Sequence, residues 1–179
     1  MTTLDLTDVL ARAAAIKLMI FDVDGILTDG SLHFGAEGEA LKTFNVLDGH
    51  GIKQLQHAGV ATAIISARRS PIVTRRAADL GIAHVQQGVH DKLAGFEQLL
   101  QATGMQAADC GFVGDDVIDL PILLRVGFAA SVPNGHAEVR SRVHYVTQTR
   151  GGQGAARELC DLILRAQGHY EAALAPYLQ

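Results

Sequence analysis

Five aspartates carry the chemistry that this chain advertises. Asp22 and Asp24 sit two positions apart in "FDVDGILTDG", directly after an apolar run, and Asp115, Asp116 and Asp119 sit in "GDDVID". Carboxylates this close repel one another and resist leaving water, so something must offset their charge. A hard divalent cation does so most simply, and Mg²⁺ suits oxygen ligands. Between the two acidic groups come Ser66, which ends an apolar run in "IISAR", and Lys92, following "VHD". A hydroxyl with nearby backbone N–H groups holds a phosphate oxygen, and a lysine lends positive charge to the same anion. Carboxylates, hydroxyl, lysine and metal together point to phosphoryl transfer.

These residues can meet only if the elements bearing them line up. Residues 16–21, "IKLMIF", read as a strand buried on both faces, because the apolar residues run on rather than alternate. Similar runs recur at 60–65, 82–85, 110–113 and 126–130, with a last strand near 143–146. Helical patterns lie between them at about 48–58, 71–80, 90–102, 117–124 and 136–140, and a final helix spans about 153–167. This alternation predicts an α/β fold: a doubly wound, Rossmann-like parallel sheet with helices on both faces. Strand ends then share one edge, which brings Asp22 and Asp24 to Asp115 and Asp116. Residues 29–44 break the rhythm. "SLHF" and "ALKTF" read as arms of a β-hairpin standing over that edge, a flap or an oligomer contact.

Composition narrows the field. The 179 residues, 48% hydrophobic and 19% charged, suit a single domain over 1–179 with no linker or separate cap domain. A net charge of −4 without a lysine–arginine block predicts no nucleic-acid partner. No segment approaches the ~20 apolar residues of a membrane span, and the acidic start, cut by Lys17, makes a poor signal peptide. No membrane partner and a cytoplasmic location are expected. Cys110 and Cys160 lack a CxxC spacing and read as free thiols.

The order DxDGxLT, a strand-ending serine, a lysine and then GDDxxD resembles the four-motif pattern of the haloacid dehalogenase superfamily of phosphatases. Within it, "DVDGILTDG", the hairpin, "FNVLDGHGIK", "GDDVIDLPIL" and "GGQGAARELCDLIL" are similar to the 3-deoxy-D-manno-octulosonate 8-phosphate phosphatase family. The resemblance implies that Asp22 attacks phosphorus while Asp24 serves as acid and then base. It also implies that Asp22, the Asp24 backbone carbonyl and Asp115 ligate Mg²⁺, that Ser66 and Lys92 neutralise phosphate charge, and that Asp116 and Asp119 steady the site. A sugar phosphate from lipopolysaccharide synthesis would lie against Asn45, Val46, Leu47, Asp48, Gly49, Lys53, Arg68, Arg76 and Lys92. The family forms homotetramers in which a neighbouring subunit caps each site, and the segment from Gly151 (151–179) can fold over the entrance. Leu47 and Lys53 depart from the arginines of many relatives, and Ser66 from the commoner threonine.

Three other readings stay open at this point. A nine-carbon nonulosonic acid 9-phosphate, or sugar phosphates in general, could be the substrate. A non-catalytic assembly domain, like those joined to sialic acid cytidylyltransferases, would keep the fold without turnover. A receiver domain uses similar groups, but needs a phosphorylated aspartate on a middle strand; the runs ending "IISAR" and "HVQQG" supply none.

Overall fold

Leu18, Met19, Ile20 and Phe21 leave no polar position between them, and strand β1 (Leu18–Phe21) is buried on both sides. The structure is a computed structural model describing residues 5–178. After helix α1 (Leu6–Ala15) and β1 come a hairpin of β2 (His33–Gly35) and β3 (Gly38–Leu41), then α2 (Val46–His57) and β4 (Ala61–Ser66). Next follow α3 (Pro71–Leu80), β5 (His84–Gln87), α4 (Lys92–Thr103), β6 (Cys110–Val113) and α5 (Leu120–Leu123). The chain continues through β7 (Phe128–Ser131), α6 (Ala137–Arg140), β8 (Tyr145–Val146), α7 (Ala155–Ala166) and α8 (Tyr170–Leu174).

Among the described residues six strands form one sheet in the order β5-β4-β1-β6-β7-β8, every pair parallel. The pleat sorts the core into two. Met19, Phe21, Ile64 and Val113 face a cluster built with α1, α2, α3 and α7. Leu18, Ile20, Ile65 and Phe112 face another built with α4, α5 and α6. The doubly wound expectation therefore holds. β1 lies in the centre, with Phe21 level with Ile64 on one side and Val113 on the other. Asp22 thus emerges at the middle of the carboxyl edge.

Boundaries shift where apolar runs mislead. The run at 82–85 predicts a strand there, yet β5 starts at His84, after Gly81 ends α3 in a left-handed turn. The hairpin forms with a tighter loop than expected, Gly35 opposite Gly38. α1 is an addition to the expected elements: Val9 and Ala13 bury one stripe beside α7, whose Gln167 side chain donates to the Ile16 carbonyl at 2.9 Å.

The segment from Gly151 begins inside the fold rather than at the entrance. A Cβ on Gly151 would lie 1.7 Å from the Gly25 carbonyl oxygen, and the Gly152 N–H donates to the Ile26 carbonyl at 2.9 Å. This segment is wedged into the loop that carries Asp22 and Asp24. The helix after it, α7, buries Leu159, Cys160, Ile163 and Leu164 completely. A lid hinged at Gly151 would have to drag a core helix with it. Beyond α7, the tail lies along α2: the Gln54 side chain donates to the Ala173 carbonyl, and Tyr177 stacks edge-on against His50.

Candidate active site

The carboxyl edge assembles the site from three strand ends. The Asp22 N–H donates to the Val113 carbonyl at 3.0 Å, which locks the first acidic loop to β6. Gly25 then turns the chain with φ +87°, a conformation glycine adopts without strain. A Cβ there would fall 2.0 Å from Asp115 Oδ2. Glycine is therefore required twice, for the turn and to let the Asp115 carboxylate lie across the loop.

Carboxylate oxygens of Asp22, Asp115 and Asp119 all lie within 4.8 Å of one another. Lys92, the first residue of α4, sends its ammonium among them, 2.9 Å from Asp22 Oδ2 and 2.5 Å from Asp119 Oδ1. Only 1% of that side chain is exposed. Burial works against its charge, yet Asp22 and Asp119 outweigh burial and raise its pKa. Asp22 is raised as well, first by burial, then by the Asp119 charge, with Lys92 pulling the other way. Burial and the neighbouring charges of Asp119 and Asp116 push Asp115 up to about 7. Three hard oxygen donors, two of them straining against their own charge, fit a divalent cation.

Asp119 does more than the sequence implied. Its Oδ2 accepts the N–H groups of Asp115 at 3.1 Å and Asp116 at 3.2 Å while Oδ1 holds Lys92. It orients both the metal-facing loop and the lysine. Asp116 is turned outward and exposed, accepting the Val117 N–H at 2.7 Å as a cap of the 3₁₀ turn. Its support of the site is confined to that turn. Ser66 is buried at the end of β4, its hydroxyl accepting the Arg68 N–H at 3.4 Å.

Among the expected substrate contacts the structure divides. Arg68 stands at the rim, its Nε 3.8 Å from Asp24 Oδ2 and its guanidinium over the Phe34 ring. Val46 and Leu47 project outward, next to Asn45, whose side chain caps α2 through the Leu47 N–H. Lys53 is exposed on α2 and makes no ion pair among the described residues. Asp48 and Gly49 are buried on the inner face of α2. Asp48 Oδ1 accepts the Arg157 N–H at 2.8 Å, capping α7, and Gly49 makes room for the Arg76 guanidinium. Arg76 stacks over Phe44 and faces Asp48 rather than the acidic cluster. No sequence signal separated these inward residues from Val46 and Leu47, because helix α2 begins at Val46 and alternates their faces.

Burial pushes the Asp48 carboxyl up to about 6 from 3.8, against the pull of the backbone N–H groups and Arg76. A raised pKa means that folding favours the protonated form. The associated stability is full below 3.8 and is lost as pH rises through about 6. Asp48→Asn keeps an acceptor for Arg157 without that charge. Between about pH 5 and about pH 7 the parent should lose thermal stability relative to Asp48→Asn, whose unfolding temperature changes less. Parallel unfolding curves across this range would refute that account.

The missed residue is Lys42. Its ammonium is buried against Asp24 and Glu39, a pairing the hairpin's exposed pattern gave no reason to expect.

Comparison with known proteins gives the same answer as the geometry. Residues 79–159 match the family of haloacid dehalogenase-like hydrolases. Over 166 residues the chain is 45% identical to 3-deoxy-D-manno-octulosonate 8-phosphate phosphatase of Yersinia pestis, covering 93% of this chain and 89% of that one. The chain belongs to the 3-deoxy-D-manno-octulosonate 8-phosphate phosphatase family of the haloacid dehalogenase superfamily. Solved members of this phosphatase family superpose closely. The Moraxella catarrhalis enzyme, in complex with magnesium ion, phosphate ion and a KDO molecule, is 42% identical, with a TM-score of 0.94 over 97% of this chain and 99% of that one. The cobalt-bound form of the Haemophilus influenzae phosphatase is 41% identical, with a TM-score of 0.90 over 94% and 99%.

Proposed function

We propose that this protein hydrolyses 3-deoxy-D-manno-octulosonate 8-phosphate to the free sugar acid and phosphate, a step of lipopolysaccharide biosynthesis. The observation that carries the reading is the meeting of Asp22, Asp115 and Asp119 within 4.8 Å around the Lys92 ammonium, in a chain of this family.

Asp22 and Asp115, with the backbone carbonyl of Asp24, would hold Mg²⁺. Bound there, the cation neutralises carboxylate and phosphate charge and lets an anionic nucleophile approach an anionic substrate. Asp22 attacks phosphorus and forms an aspartyl-phosphate. Asp24 gives a proton to the departing sugar oxygen, then takes one from the water that hydrolyses the intermediate. Lys92 orients Asp22 and offsets charge on the transferred group, and the Ser66 hydroxyl donates to a phosphate oxygen. Arg68 and the exposed N-terminal turn of α2 supply contacts to the sugar.

Residues 1–179 act as one hydrolase domain without a cap of its own, assembled as a homotetramer. The hairpin supports this: Phe34 is 64% exposed and Leu41 53%, on a two-stranded sheet too small to be stable alone. A neighbouring copy would cover that face and close the site. No helix among the described residues is long and apolar enough to cross a membrane. Both cysteines are free and buried, in keeping with a reducing, cytoplasmic compartment.

The test is a panel of sugar phosphates assayed with Mg²⁺ and with a chelator, including eight- and nine-carbon 2-keto sugar acid phosphates. Metal-dependent release of phosphate, fastest from the eight-carbon compound, is expected. Preference for the nine-carbon compound would replace the substrate. Tetramers that hydrolyse nothing would make the protein an assembly domain.

A further inference from the structure

Lys42 directly follows β3, in a hairpin that is otherwise open to solvent, yet its side chain is only 1% exposed. Burying an ammonium is costly unless it is paired, and this one is paired twice. It donates a short hydrogen bond to Asp24 Oδ1 and lies 3.0 Å from Glu39 Oε1. Glu39 Oε2 in turn accepts a short hydrogen bond from the buried Ser70 hydroxyl. The Ser70 N–H donates to the Gln87 side chain at 2.8 Å, at the end of β5. A polar chain thus runs from the sheet edge through the hairpin base to Asp24.

The two oxygens of Asp24 are treated differently. Oδ1 is anchored by the buried Lys42, while Oδ2 has only Arg68 nearby, at 3.8 Å and half-exposed at the rim. Burial opposes the Lys42 charge, but the bonds to Asp24 and Glu39 outweigh it and raise its pKa, so the anchor stays an ammonium. An ammonium carries three donors, enough to serve two carboxylates at once.

We propose that Lys42 is a positioning residue through which the hairpin holds Asp24, leaving Oδ2 as the oxygen that exchanges the proton. This rests on the reading of Asp24 as acid and base. In the first half-reaction the Asp22–phosphorus bond forms, the phosphorus–sugar oxygen bond breaks, and the Asp24 Oδ2 proton goes to the departing oxygen. In the second, water attacks phosphorus and returns a proton to Oδ2, and Asp22 is released. Lys42 exchanges no proton in either.

The dependence on leaving group tests this. A sugar alkoxide needs a proton to depart, whereas p-nitrophenolate does not. Lys42→Met, and Lys42→Met with Glu39→Gln so that no charge is stranded at the hairpin base, are compared with the parent on both phosphates. The kcat/KM for the sugar phosphate should fall about 100-fold or more, and that for p-nitrophenyl phosphate less than about fivefold. Unfolding temperature and subunit count are followed alongside. Equal losses on both substrates would assign Lys42 a merely structural part, and unchanged rates would remove it from the reaction; either overturns the inference. A parent protein inactive on both phosphates would fail before any substitution, and would sink the phosphatase reading itself.

Discussion

Asp22→Asn should abolish turnover, lowering kcat by roughly 10⁴-fold or more, the scale seen when a nucleophile is removed from a cooperating group. A neutral amide cannot form the acyl phosphate that the carboxylate forms. The substitution should leave the fold intact or firmer. Asp22 is buried beside the Asp119 charge, and both effects already oppose its ionised form. Asparagine keeps an oxygen for the Lys92 ammonium, 2.9 Å away in the parent. Phosphate release from the sugar phosphate checks activity, and thermal unfolding checks the fold. Residual activity within tenfold of the parent would place the nucleophile elsewhere, a factor equivalent to only about 1.4 kcal/mol in the barrier.

Lys92→Met carries the largest expected effect on stability. Lys92 is the cation between Asp22 and Asp119, and methionine of similar length leaves both carboxylates buried without it. Breaking a buried pair by removing one partner costs about 3–5 kcal/mol. In a chain of this size that corresponds to a fall of roughly 10 °C or more in unfolding temperature. Mg²⁺ should recover part of the loss, because a cation at Asp22 and Asp115 relieves the same repulsion. Activity should fall with the stability and should not return with the metal, since the charge facing the phosphoryl group is gone. Melting curves with and without Mg²⁺ test the electrostatic account. An unchanged melting temperature, or one indifferent to the metal, would contradict it.

The parallel sheet and the acidic edge were legible from residue order alone. Continuous apolar runs such as "LMIF" have only one comfortable place, a strand covered on both faces. Parallel topology puts the residues after such strands on one side, so Asp22 and Asp115 had to converge despite lying ninety-three positions apart. Lys92 opens a helix on that same edge, but only its place in the order of motifs singled it out. These inferences depend on period and direction, both of which are local properties of a chain.

What the tertiary structure alone decided was which side chains point into the site and what holds them. Asp48 looked like a substrate contact, but α7 docks on α2 and takes the carboxylate as its cap. For the segment from Gly151 the resemblance implied a lid; in the structure two glycines let its start wedge against the Gly25 turn, and the next helix fills the core. Lys42 drew no notice in the sequence, yet Asp24 and Glu39 draw its ammonium inward. Each of these outcomes arises from partners far apart in the chain. Burial and charge compensation are set by what arrives from elsewhere, and no local pattern encodes them.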